Sequence, residues 1–150
     1  MADRNDSIDL PVSGGPPARP EPFPFHDLLG LQVLLREQGR SELRLHIDDR
    51  HLRDSGIVHG GVFAALLDAG IGLAARSLSP AASRLVTAQL SLNFVRPAVV
   101  GDELTVRGDV LHMGKSTVVA RAEVRDAADR LIAAGTGTLL VLASLPGPQT

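Results

Sequence analysis

Sixteen consecutive residues, Gly60 to Ala75 (GGVFAALLDAGIGLAA), hold a single ionisable side chain, Asp68, and show no two-residue alternation. A run of this length suits a helix better than a strand. A helix that is apolar all round must be buried, because no face of it is fit for water. Its glycines, Gly61, Gly70 and Gly72, each weaken intrinsic helicity by about 1 kcal/mol relative to Ala. They make sense where another backbone must come close. Most of the remaining chain alternates with period two, the mark of strands with one buried face. Val86, Ala88, Leu90, Leu92 and Phe94 share one face, opposite Thr87, Gln89, Ser91 and Asn93. Similar runs cover Leu43–Ile47, Leu104–Val110 and Val118–Val124, and a run apolar on both faces covers Leu131–Leu142. Turn residues at Arg96-Pro97 with Gly101-Asp102, at His112–Lys115 and at Asp126–Arg130 separate the last four runs. Links this short predict a four-stranded antiparallel meander. A short helix near His26–Leu29 and two strands are expected ahead of the buried helix. The fold class is α+β, a curved antiparallel sheet wrapped around one central helix.

The chain has 150 residues, the size of one ordinary domain. Six of its ten prolines fall within residues 1–24, which predicts a disordered Pro-rich tail. The domain is expected over 25–143, with 144–150 a frayed end. There is no Cys, which excludes disulfides, thiolate metal sites and cysteine nucleophiles. Aromatic residues make up only 3%, with no Trp or Tyr, so a base-stacking platform for nucleic acid is not expected. Net charge is −2, and beyond residue 24 the charges balance, which argues against a duplex-binding surface. The opening MADRNDSIDL has no apolar secretory core, and no stretch reads as a membrane span. A soluble cytoplasmic protein without membrane or nucleic-acid partners is expected.

Asp68 is the first candidate for chemistry, because a carboxylate in an apolar helix is costly to bury. Two readings stay open: a functional acid, or an Asp bonded to a neighbouring element or partner backbone. His59-Gly60-Gly61 stands where the same helix begins. The first N–H groups of a helix have no internal partner and lie at the positive end of its dipole. With no side chain at Gly60, a carbonyl oxygen can approach them, which is the physical basis of an oxyanion hole. Other motifs fail. Gly114-Lys115-Ser116 lacks the glycine of a phosphate loop five positions earlier, where Asp109 stands. The five histidines show no metal-ligand spacing, and no metal is expected.

Taken in order, Gly56-Ile57-Val58-His59-Gly60-Gly61-Val62, Leu67-Asp68-Ala69, Val86-Thr87, Phe94-Val95-Arg96-Pro97-Ala98 and Gly101-Asp102 resemble the hotdog-fold acyl-CoA thioesterases, in their PaaI-like branch. The resemblance spans roughly residues 40–142. It implies hydrolysis of an acyl-CoA with no cofactor, coenzyme A entering as part of the substrate. It implies Gly60 as oxyanion donor with His59 beside it, Asp68 as general base or nucleophile, and Thr87 as the hydroxyl that positions acid or water. It further implies a homodimer or homotetramer whose active site lies between subunits, Gly60 from one and Asp68 from the other. Relatives commonly carry Asn three residues before the glycine that is Gly56; here Arg53 stands there, followed by Asp54. Gly61, Arg53, Arg96, Lys115 and Ser116 are candidates for substrate and coenzyme A contacts. The alternative is a hotdog protein that binds acyl-CoA or an acyl chain without catalysis.

Overall fold

The computed structural model describes residues 23–142. The expected tail at 1–24 falls outside the described residues except for its last two, and the expected frayed end at 144–150 wholly so. The described elements are α1 (Pro24–Leu29), β1 (Gln32–Glu37), β2 (Arg40–His46), a 3-10 turn (Asp49–His51), α2 (Gly60–Leu78), β3 (Arg84–Phe94), β4 (Glu103–Met113), β5 (Thr117–Arg125) and β6 (Leu131–Leu142). The six strands form one antiparallel sheet in the order β1-β2-β4-β5-β6-β3. It curls around α2, which contacts all six strands.

The strand order corrects the expected meander. β4, β5 and β6 follow one another as hairpins, but β3 pairs with β6 at the far edge, not with β4. The link at 95–102 is therefore no hairpin turn. It crosses the open end of the sheet, pinned by Val58 N–H donating to Ala98 O (2.9 Å) and Gly101 N–H donating to Ile47 O (2.9 Å). Those two bonds tie it to the start of α2 and to the end of β2, which satisfies its backbone along the crossing.

The helix is three residues longer than expected. At 19 residues with mean hydropathy 1.4, it is long and apolar enough to match a membrane span, a correction to the sequence reading. Ten of its residues are buried under the sheet, the place of a core helix. The sheet supplies the other half of that core. On β5, Val118, Ala120, Ala122 and Val124 are all at most 1% exposed, as their alternation predicts.

Helix and sheet meet closest where Gly70 faces Gly108. A Cβ on Gly108 would land on Gly70 O and 2.6 Å from Ser41 Oγ, and one on Gly70 would meet Val106 Cγ1 at 2.9 Å. Ser41 Oγ donates to Gly70 O (2.7 Å), so a sheet side chain and a helix carbonyl close the contact. Gly72 differs from expectation: nothing lies within 4 Å of where its Cβ would stand. Gly108→Ala pushes a methyl group against backbone that cannot give way. The expected cost is about 3 kcal/mol or more, read as a fall in urea midpoint with an unchanged slope. Gly72→Ala should be neutral or stabilising in the same assay.

Candidate active site

The start of α2 is held from below. His51 is fully buried, with Nδ1 accepting from Asp48 N–H (2.9 Å) and Nε2 donating to Leu29 O (2.8 Å). Its own carbonyl accepts from His59 N–H (2.8 Å), so a satisfied buried histidine anchors the residue before the helix. His59 is the N-cap. Its Nδ1 accepts from Gly61 N–H (2.8 Å), which leaves the ring proton on Nε2, and its carbonyl accepts from Val62 N–H (2.9 Å). A Cβ on Gly61 would sit 2.9 Å from that Nδ1, so Gly61 is what lets His59 fold back onto the helix.

The Gly60 N–H is left over. It makes no hydrogen bond among the described residues, and it points out at the positive end of a 19-residue helix. Phe94, from the end of β3, covers one side of it. Its Cε2 would lie 3.3 Å from a Cβ on Gly60, and its ring centroid is 6.0 Å from that of Phe63. A small acceptor can reach this N–H, whereas a side chain at position 60 meets the ring.

Asp68 stands two turns further along α2, half-buried. Thr87 Oγ1 donates to its Oδ1 (2.8 Å), and its second oxygen has no partner among the described residues. That bond depends on an irregularity absent from the sequence pattern. Between Thr87 and Gln89 the β3–β6 register slips, and Ala88 is left without a ladder partner. Such a bulge turns the following residues onto the other face. Leu85 and Thr87 therefore face α2 together with Leu90 and Leu92, while Val86 is 47% exposed on the outside. The single apolar face expected over Val86–Phe94 is corrected to this: the strand changes phase at Ala88.

The remaining candidates do not gather here. Arg53 is exposed, with Nε donating to Asp54 Oδ1 (3.1 Å). Arg96 is exposed, and its Nη1 donates to Leu131 O (2.8 Å). Lys115 and Ser116 lie in the β4–β5 turn, where Ser116 O accepts from Val141 N–H (2.9 Å). β5 runs between that end and the Arg96 end, about 26 Å of strand at the usual rise. Nor do Gly60 and Asp68 meet. Eight residues of helix separate them, about 12 Å along its axis. Among the described residues no group of acids and histidines has metal-ligand geometry. Phe94, which covers Gly60, is a site residue that the sequence did not single out.

One long helix wrapped by a six-stranded antiparallel sheet, with a free N–H at its start and a half-buried acid two turns along it, defines a hotdog protein. The chain belongs to the thioesterase superfamily, whose family model matches residues 55–133. It is similar to a Saccharolobus solfataricus protein named only as an esterase, at 32% identity over 114 residues, 76% of this chain and 80% of that one. It is also similar to the acyl-coenzyme A thioesterase PaaI of Escherichia coli, 28% identical over 105 residues, 70% of this chain and 73% of that one. Among solved structures it resembles a Streptococcus mutans protein bound to acetyl CoA. There the TM-score is 0.71 and the identity 27%, over 77% of this chain and 91% of that one.

Thr87 offers a direct check on the acid. Thr87→Ala removes the one bond to Asp68 Oδ1, and turnover is expected to fall by about tenfold, whereas Thr87→Ser keeps the hydroxyl and most of the rate. Initial rates of thiol release from an acyl-CoA by the three proteins would test this.

Proposed function

We propose that this protein hydrolyses acyl-CoA thioesters to a free acid and coenzyme A, in an active site shared by two copies of the chain. Asp68 is the general base that draws a proton from water, or the nucleophile itself, and the Gly60 N–H receives the oxyanion. The observation that carries the reading is the pairing of a free helix-start N–H with a Thr87-held carboxylate about 12 Å further along one helix. A thioester carbonyl needs both groups within about 3 Å of its reacting atoms. Two chains whose β3 edges run antiparallel would bring Gly60 of one toward Asp68 of the other, because Phe94 lies at Gly60 and Thr87 at Asp68 on that strand. β3 is an edge strand of eleven residues and is open to such pairing. A homodimer is then the smallest active form, and a homotetramer pairs two of them.

In this site water adds to the carbonyl carbon as Asp68 takes its proton. The negative charge moves onto oxygen at the Gly60 N–H. The carbonyl reforms, the C–S bond breaks, and the thiolate takes the proton back from Asp68. His59 keeps the Gly61 N–H occupied, so the carbonyl meets one donor of the first turn and not two competing ones. Arg53 and Arg96 at one end, and Lys115 with Ser116 at the other, are the groups offered to the phosphates of coenzyme A. The acetyl CoA bound to the S. mutans relative and the thioesterase name of the E. coli relative support a coenzyme A substrate.

Free-thiol release from a panel of aliphatic and aromatic acyl-CoAs, with wild type and Asp68→Asn side by side, tests the reading. Hydrolysis of some members by wild type alone is expected. Tight acyl-CoA binding without hydrolysis would favour the non-catalytic alternative and make Arg53 the first residue to change.

A further inference from the structure

The space that a side chain at Gly60 would take is held by an aromatic ring. Cε2, Cζ and Cδ2 of Phe94 stand 3.3, 3.5 and 3.9 Å from where a Cβ on Gly60 would be. On its other side Phe94 meets Phe63, whose ring centroid is 6.0 Å away at a tilt of 45°, an ordinary geometry for an aromatic pair. Phe63 lies three residues along α2 from Gly60 and is buried. Phe94 is thus laid over the first turn of the helix, braced by backbone and by a core ring. Leu90 and Leu92, ahead of it on the same face of β3, pack on the core, yet Phe94 itself is 57% exposed. The chain has only four Phe and neither Trp nor Tyr, and two of the four meet at this helix start.

An open apolar wall beside a single polar donor is the make-up of a small-molecule site. A carbonyl oxygen about 2.9 Å from the Gly60 nitrogen, the usual length of such a bond, brings the carbonyl carbon and its two substituents beside the same ring. One substituent is the sulfur of coenzyme A and the other is the first carbon of the acyl group. Coenzyme A carries phosphates, which stay in water. The acyl chain is the part that gains from leaving it. Phe94, braced from the core side by Phe63, is the apolar surface offered to that chain.

We propose that Phe94 is a specificity-determining residue of the hydrolysis proposed above, on which this inference rests: its ring packs on the first carbons of the acyl group and selects thioesters that are apolar and unbranched there. A methyl group on the carbon next to the carbonyl meets the ring, and the helix backbone and Phe63 stand behind it and limit its retreat. A carboxylate on that carbon gives up water against an apolar face, which costs more than the contact returns. Branching further out along the chain lies beyond the ring and is tolerated.

The test uses the full chain as wild type, Phe94→Leu and Phe94→Ala, with three isomeric substrates: hexanoyl-CoA, 2-methylpentanoyl-CoA and 4-methylpentanoyl-CoA. Wild type is expected to favour hexanoyl-CoA over the 2-methyl isomer by about 10- to 100-fold in kcat/KM, the usual worth of one misplaced methyl group in an apolar site. It should treat the 4-methyl isomer much as it treats hexanoyl-CoA. In Phe94→Ala the preference over the 2-methyl isomer should shrink to within about threefold, with Phe94→Leu between the two. Light scattering should give all three proteins the same mass. A wild-type preference retained in Phe94→Ala would overturn the proposal while leaving hydrolysis by Asp68 intact. So would an equal loss on all three substrates, which would set the ring against coenzyme A, or a changed mass, which would set it in the contact between subunits. A wild type that hydrolyses no acyl-CoA would remove both the hydrolysis and this inference.

Discussion

Asp68→Asn is expected to fold as wild type does and to lose kcat by about 10²–10⁴, the usual worth of a positioned acid or base. The change is nearly isosteric. Asn keeps an oxygen to accept from Thr87 Oγ1, so the 2.8 Å bond and the packing of α2 survive. What disappears is the ability to take a proton. KM should change little, because the carboxylate acts on water and not on the coenzyme A moiety. A melting temperature equal to wild type together with lost turnover separates chemistry from stability. An unchanged kcat would remove Asp68 from its role.

The second large effect is expected from Gly60→Pro. Proline has no N–H, yet it is favoured at the first position of a helix because that N–H has no partner within the helix anyway. The residue before a proline must be extended, and His59 already is, at φ −66° and ψ 135°. The substitution therefore deletes the N–H proposed as the oxyanion donor while leaving α2 its start. kcat should fall by about 10²–10³, the cost of removing one such donor. Gly60→Ala is the matched control: it keeps the N–H and meets Phe94 at 3.3 Å, so it reports crowding alone. Equal losses in the two variants would mean that the Phe94 contact, not the N–H, governs the rate.

The central helix and the paired β4, β5 and β6 were legible because burial leaves its period in the residue order. Val118 to Val124 alternates in sequence as it does in space. The place of β3 was not legible. A link of eight residues between Phe94 and Glu103 is equally able to turn back or to cross, and what decides it is the bonding of Ala98 to Val58, ahead of α2, and of Gly101 to Ile47, just past β2. The bulge at Ala88 was hidden for a related reason. Val86, Ala88, Leu90, Leu92 and Phe94 alternate without a break, while the register slip arises from pairing with β6. Thr87 was nevertheless singled out, through the resemblance, and the bulge is what turns it to Asp68.

Of the site itself, Asp68 and the His59-Gly60-Gly61 start were readable from one helix. The reason for Gly61 was not, since it lies in the fold-back of His59. Arg53 was placed by its neighbours in sequence, and it pairs with one of them, Asp54.

The shared site is the central claim, and subunit complementation tests it most directly. Asp68→Asn and Gly60→Pro chains, each inactive alone, are co-expressed with different tags, and the mixed dimer is purified through both. In that dimer one site holds both substitutions and the other holds neither. If the two groups converge across the subunit boundary, the mixed dimer recovers about half the wild-type turnover per dimer, as two-fold symmetry requires. A mixed dimer as inactive as its parents would contradict the account, because each chain would then carry its own complete site.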